Sequence, residues 1–180
     1  MQIPELPWLF PYVEDLTAKR YPEESGRAAY RPLVEVSFRG RFEMEQKVPA
    51  LVDSGSEHTL LAPWLARALG IEFSDAKRTM DLRVGGETVE VSYFDLSIRL
   101  HPPGGSLDSY MEWESEVGFV SHFRVSAWSA VLGQIGFFDR FTVSMHRAAL
   151  VTAIEEYEAF DARFGVAIRE AEGRRPPGLP

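Results

Sequence analysis

The segment that most constrains the fold is residues 48–61, which read VPALVDSGSEHTLL. An apolar run ends at Val52, the tripeptide Asp53-Ser54-Gly55 follows, and a second apolar run begins at Thr59. Apolar runs of this kind favour strands, whereas Asp, Ser and Gly favour tight turns. The pattern therefore predicts a rigid strand that presents a partly desolvated carboxylate at its end, which is a candidate proton carrier. The alternative is an ordinary surface turn.

Composition limits the chemistry that the chain can carry. Its 180 residues fit one domain, and 45% hydrophobic residues with 12 Phe and 4 Trp supply a core. The absence of Cys excludes disulfides and thiolate chemistry, and the four His show no metal-ligand spacing, so we expect no metal and no cofactor. A net charge of -8 argues against nucleic acid as a partner, because that partner selects a basic patch.

Hydropathy along the chain predicts a soluble protein. No window has the length of apolar residues that a membrane span requires. The N-terminus lacks the basic start and apolar stretch of a signal peptide. We therefore expect a cytoplasmic location and no membrane partner.

The chain divides into four predicted regions. Residues 1–30 contain Pro4, Pro7 and Pro11, which disfavour a helix interior or a central strand, so we expect an extended arm packed on the body through its aromatic residues. Residues 31–147 form the main domain. Residues 148–172 are an extension for which helix and strand both stay open, and residues 173–180 are predicted to be a disordered tail.

Within the main domain, strand-like segments separated by glycine turns predominate. The pattern predicts a hairpin over residues 31–52, a short helix over 61–70 that ends at Gly70, and a second hairpin that turns at Gly85-Gly86. A Pro/Gly loop over 101–109 precedes one or two strands over 113–125. A helical turn over 136–140 then leads to a strand over 141–145. This order of elements predicts an all-β barrel or sandwich.

The order of motifs resembles the retropepsin-like aspartic proteases, the single-domain, dimeric relatives of pepsin, over residues 31–147. The segment ALVDSGSEHTLL is similar to the family's hydrophobic-hydrophobic-Asp-[Thr/Ser]-Gly signature, and APWLARALGIE is similar to the helix that follows that signature. The segment VGGETV is similar to the family's flap hairpin, and AVLGQIGFF is similar to its second hydrophobic-hydrophobic-Gly segment. The resemblance implies a closed all-β barrel with one or two short helices. It also implies a homodimer that acts on a peptide or protein substrate.

The same resemblance implies the residues of an aspartic endopeptidase. Asp53 is the catalytic residue, one from each subunit, and the pair activates a water molecule that hydrolyses the peptide bond. The implied supports of the active-site loop are Ser54, Gly55, Val131, Leu132 and Gly133. The implied flap and substrate-binding residues are Val84, Gly85, Gly86 and Glu57.

Two departures from the family pattern leave an alternative function open. Gln134 stands where the family commonly carries an Arg that pairs with an acid, and Glu57 occupies the position of that acid. We therefore expect a hydrogen bond from the Gln134 amide to replace the ion pair with Glu57. The flap tip is shortened to Gly85-Gly86. The alternative is a catalytically inactive dimerisation or peptide-binding module, and a third possibility is a purely structural β-domain.

Other candidate sites have weaker support. Ser56 with His58 or His146 invites a hydrolase hypothesis, but the serine lacks a nucleophile-elbow context and no Asp is placed to orient either imidazole. Glu112, Glu114 and Glu116 alternate along a predicted strand, which indicates a solvated face rather than a metal site.

Overall fold

The computed structural model describes residues 7–16, 29–84, 86–104, 109–123 and 127–172. The predicted tail over 173–180 and Gly85 of the predicted flap lie outside the described residues. The described elements are β1 (Trp8–Pro11), β2 (Val13–Glu14), β3 (Tyr30–Arg31), β4 (Leu33–Arg39), β5 (Glu45–Val52), β6 (Leu60–Leu61), α1 (Trp64–Ala68), β7 (Arg78–Val84), β8 (Glu87–Leu100), β9 (Met111–Val120), β10 (Ala130–Leu132), β11 (Phe141–His146), β12 (Val151–Glu156) and α2 (Tyr157–Glu172).

Six strands close into a barrel, which confirms the predicted fold class. They follow one another in the order β4-β5-β10-β6-β9-β8, and β8 pairs back onto β4 to complete the ring. The long strand β8 makes this possible because its second half pairs with β4, whereas its first half pairs with β7. Closure removes the free edges of the sheet, so no ring strand exposes a full row of unpaired backbone groups.

The first predicted hairpin is present and delivers the candidate acid. Strands β4 and β5 are antiparallel, with Leu33 opposite Leu51 and Arg39 opposite Glu45. The hairpin turns through a 3-10 segment, Arg41–Glu43, in which Phe42 has a positive φ of 55°. Because β5 then pairs in parallel with β10, its carboxyl end meets the carboxyl end of β10.

The interior contains two clusters of apolar side chains. The larger cluster fills the barrel and includes the fully buried Phe38, Leu65 and Phe137. The smaller one, which we call the hairpin cluster, lies under the β7–β8 hairpin, with Leu82, Phe123 and Val131 packed against it; its buried members are Leu60, Val89, Val91, Tyr93 and Val120. The hairpin is therefore anchored at its base by apolar contacts.

The predicted helix and the predicted helical turn are both present. Helix α1 is followed by Gly70 at a φ of +64°, which confirms the glycine C-cap. Residues 136–140 form turns that include one helical hydrogen bond, from the Phe141 N–H to the Phe137 carbonyl at 2.9 Å, and Gly136 begins them with a φ of +94°. Neither described helix has the length and apolarity needed to cross a membrane.

Strands β1, β12 and β11 form a separate, three-stranded sheet. Strand β1 pairs with β12, which also pairs with β11, and Phe10 of β1 is buried. The described part of the arm therefore packs on the body through an aromatic residue, as predicted. The extension beyond residue 148, for which helix and strand both stayed open, contains both: β12 leads directly into α2.

Candidate active site

Asp53 occupies the open end of the barrel, one residue beyond β5. Its backbone N–H donates to the Leu132 carbonyl at the end of β10, with a distance of 3.1 Å. The Asp53 carboxylate accepts a hydrogen bond from the Gly55 N–H at 2.9 Å, and the Asp53 carbonyl accepts one from the Ser56 N–H at 3.2 Å. These bonds close a tight turn that holds the half-buried carboxylate toward solvent.

Gly133 lets a second segment cross directly beneath this turn. A Cβ atom at Gly133 would lie 2.3 Å from the His58 carbonyl oxygen and 2.8 Å from the Ser56 carbonyl oxygen. Both contacts are with backbone atoms, which cannot rotate away. The crossing therefore requires glycine at this position. Leu132 is fully buried beside it, and Val131 is half-buried against the hairpin cluster.

Gln134 ties the crossing segment to the turn. Its side-chain amide donates to the Ser54 carbonyl at 2.7 Å, and its backbone N–H donates to the Ser56 carbonyl at 2.8 Å. The predicted amide hydrogen bond is thus present, but it goes to the loop backbone and not to Glu57. Gln134 therefore braces the Asp53 turn without an ion pair.

Thr59 is a bracing residue of the candidate site that the sequence analysis missed. Its buried hydroxyl donates to the Ile135 carbonyl at 2.9 Å and accepts from the Gly133 N–H at 3.2 Å. One side chain therefore links the strand after the active-site turn to the crossing segment. The available signal was a hydroxyl at the start of an otherwise apolar run, where burial requires a hydrogen-bond partner.

Ser56 and His58 do not form a catalytic dyad. The Ser56 hydroxyl donates to the backbone carbonyl of His58 at 2.7 Å, and the buried imidazole lies edge-on to the Tyr93 ring with centroids 5.3 Å apart. Burial raises the pKa of the Tyr93 phenol, and the Glu116 and Glu57 carboxylates add to that increase against the opposing charge of Arg78. Tyr93 therefore stays neutral within the hairpin cluster.

The second hairpin packs against the strand that follows the Asp53 turn. Val84 pairs with Glu87 at its last described rung, and Gly86 has a φ of +89°, as a tight hairpin turn requires. Leu82 and Val89 face each other across the hairpin, and both contact the hairpin cluster that includes Leu60. The β7–β8 hairpin and the strand that follows the Asp53 turn thus share one apolar layer.

The surface of the turn is open. Ser54, Gly55 and Glu57 are exposed, and the Glu57 carbonyl accepts a hydrogen bond from the Ile135 N–H at 2.8 Å. Within the described part of the chain, no hydrogen bond of the Ser54 hydroxyl is found, and no group of three or more His, Asp or Glu side chains is placed to hold a metal ion. The turn therefore presents a single carboxylate, which can accept or donate a proton, on a rigid backbone.

Comparisons with known proteins found a family match for the central part of the chain. Residues 34–101, which include Asp53, match the family described as aspartyl protease. Among curated proteins, none matches the sequence. Similar solved structures include a retropepsin-like aspartic protease from Rickettsia conorii, with 14% identity, a TM-score of 0.47 and coverage of 79% of this chain and 99% of that one. Another is the retroviral protease-like domain of Ddi1 from Leishmania major, with 13% identity, a TM-score of 0.40 and coverage of 69% and 93%.

Proposed function

We propose that this chain is a retropepsin-like aspartic endopeptidase that acts as a homodimer, and the match of residues 34–101 to the aspartyl protease family supports this proposal. The observation that carries the proposal is the position of Asp53. Its carboxylate follows β5 directly on a turn that is braced by one crossing segment, Leu132 to Gln134. This segment lies about 80 positions from the turn along the chain, so the turn is held by the fold and not only by its own local bonds.

The chemistry explains why two copies are needed. Hydrolysis by this route uses two carboxylates that share one proton, because like charges about 3 Å apart do not both ionise. One carboxylate takes a proton from water while the other donates a hydrogen bond to the scissile carbonyl. The sequence contains one Asp-Ser-Gly, so a symmetric dimer would supply Asp53 twice.

The remaining site residues would serve that reaction in the following ways. The exposed Ser54 hydroxyl would contact the partner subunit near the two-fold axis, and Gly55 would allow close approach of the backbone. The β7–β8 hairpin would close over an extended peptide and exclude water. The second candidate function, an inactive binding module, is favoured by the replacement of an ion pair with the Gln134 bond, although that bond still holds the loop.

Cleavage of a peptide library by wild type and by Asp53→Asn tests the proposal. We expect cleavage by wild type that is strongest in acid and is inhibited by a statine-type transition-state analogue. Asp53→Asn should abolish it, because an amide cannot take a proton from water. Glu158→Gln is the control, since it removes an exposed carboxylate from α2 and leaves both the Asp53 turn and the β7–β8 hairpin intact.

Sedimentation velocity on the same proteins separates the two candidate functions. A wild-type dimer that cleaves no peptide at any pH would identify a binding module. A wild-type monomer, or Asp53→Asn with the wild-type rate, would refute the paired-carboxylate mechanism. We expect Asp53→Asn to remain folded and dimeric.

A further inference from the structure

Helix α2 is tied to the sheet at its first turn and is exposed beyond it. The helix follows β12 directly, and the Tyr157 N–H donates to the Arg140 carbonyl at 3.1 Å. Residues 162–167 are all exposed except Gly165. The middle of α2 therefore meets solvent in a single subunit.

One side of α2 carries an apolar stripe, which we define as Tyr157, Phe160, Phe164 and Ala167. These residues recur at steps of three, four and three, which is the spacing at which a helix presents one seam to a second helix. The Phe160 and Phe164 rings lie against each other with centroids 5.1 Å apart, yet Tyr157 and Phe164 remain 53% and 48% exposed. Covering aromatic rings that are exposed to this extent is favourable, so the stripe is suited to a partner.

The sizes of the stripe residues indicate which partner fits. Three aromatic residues occupy the start of the stripe, whereas the exposed Ala167 near its end carries only a methyl group. Two copies of α2 that run in the same direction would set aromatic rings against each other and overcrowd the seam. In an antiparallel pair, Phe164 packs against Ala167 of the partner subunit, so a large side chain meets a small one. The stripe is therefore complementary to a second, antiparallel copy of itself.

The charges beside the stripe favour the same register. With Phe164 against the alanine, Arg163 lies opposite Glu170 of the partner subunit, and it also pairs with Glu155 of its own β12. Sliding one helix by seven residues would place Arg163 opposite Arg163 of the partner subunit, and Asp161 opposite Asp161 of the partner subunit. Like charges in these flanking positions repel each other. Size and charge thus select one register.

We propose that α2 pairs with α2 of a second copy of this chain as an antiparallel contact, which we call the α2 seam, with Phe164 packed against Ala167 of the partner subunit. An antiparallel pair has a two-fold axis at its centre, which is the symmetry that a dimer with one Asp53 per subunit requires. The seam thus rests on the homodimer of the proposed function, and it lies outside residues 34–101, which match the aspartyl protease family. At 16 residues α2 is about 24 Å long, so the seam is short and strengthens a dimer that other surfaces also hold.

Sedimentation equilibrium tests the seam through the dimer dissociation constants of wild type, Phe164→Asp and Val166→Asp. Val166 is the matched control because it is 68% exposed and lies on the opposite side of the same helix, two positions along. We expect Phe164→Asp to raise the dissociation constant about tenfold or more, since it places a carboxylate in the seam, and Val166→Asp to leave it unchanged. Circular dichroism checks that the two variants, which introduce the same residue, keep the same helix content.

Disulfide cross-linking tests the direction of the pair. The chain contains no Cys, so every disulfide joins introduced positions. Phe164→Cys and Ala167→Cys proteins that differ in an affinity tag are mixed and oxidised, and Val166→Cys is the control. We expect the mixture to form a covalent heterodimer faster than either protein forms a covalent homodimer, and Val166→Cys to form none. Covalent homodimers that form as fast as the heterodimer would indicate a parallel pair and overturn the seam.

The outcomes separate the α2 seam from the proposed function. Equal dissociation constants for wild type, Phe164→Asp and Val166→Asp, with peptide cleavage intact, would overturn the seam and leave the endopeptidase. A dimer that only Phe164→Asp weakens, in a protein whose wild type cleaves nothing, would support the seam and refute the protease. A monomeric wild type would overturn the seam together with the paired-carboxylate mechanism.

Discussion

Replacing Gly133 with Ala should displace the active-site loop by a distance that can be read from the structure. The added Cβ would lie 2.3 Å from the His58 carbonyl oxygen and 2.5 Å from its carbonyl carbon, whereas ordinary contact begins at 3.4 Å. The loop that carries Asp53 must therefore move by about 1 Å relative to β10. A misplacement of about 1 Å in an active site costs roughly 100-fold in rate.

The same substitution should lower stability. Overpacking a tight interior typically costs about 1–3 kcal/mol, and the backbone atoms of Ser56 and His58 cannot relieve the contact by rotation. Urea denaturation measures that loss, and peptide turnover measures the loss in rate. The reasoning would be refuted by a Gly133→Ala protein that keeps both the wild-type unfolding free energy and the wild-type rate.

Gly104→Ala is the matched control for this experiment. Gly104 has a φ of +61°, and an added Cβ there meets nothing within 4 Å. Its replacement should cost about 1–2 kcal/mol through backbone conformation alone. We expect Gly104→Ala to lose stability and retain turnover, which separates loop displacement from general destabilisation.

Two further predictions concern buried or bridging polar groups. Gln134→Leu removes the donor to the Ser54 carbonyl, so the unfolding free energy from urea denaturation should fall by about 0.5–1.5 kcal/mol and peptide turnover should also fall. An unchanged turnover rate would mean that the Gln134 amide does not brace the loop. Burial, together with the nearby charge of Lys47, lowers the pKa of His101. Neutral His101 therefore contributes stability at pH values above its ordinary pKa of about 6.5, and this contribution is lost as the pH falls through the lowered pKa. Unfolding free energies of wild type should therefore decline with acid more steeply than those of His101→Gln, and parallel pH profiles would contradict this.

The preferences of adjacent residues were sufficient to predict the elements near Asp53. The apolar run before Asp53, the Asp-Ser-Gly turn and Gly70 after α1 each depend on preferences of a few adjacent residues, and the structure has the strand, turn and helix end at these places. Such preferences act over short distances. They are therefore readable from the sequence without knowledge of the fold.

The segment after residue 148 had a different outcome. The helical turn expected over 136–140 is present but does not extend into a helix, because the positive φ of Gly136 and the hydrogen bond of its N–H to the Asp139 carboxylate favour a turn. The extension beyond residue 148 becomes a strand where it pairs with β1 and β11, and a helix where that pairing ends. Pairing partners far away in sequence decide such segments.

The order of residues alone predicted that a single Asp-Ser-Gly carboxylate follows an apolar strand, in a chain without Cys. Only the tertiary structure decided what holds that carboxylate: the parallel pairing of β5 with β10, the crossing at Gly133, and the bonds of Thr59 and Gln134. It also decided that Gln134 binds the Ser54 carbonyl and leaves Glu57 unpaired. The physical reason is that each of these contacts joins residues about 80 positions apart, and barrel closure, rather than local preference, brings such residues together.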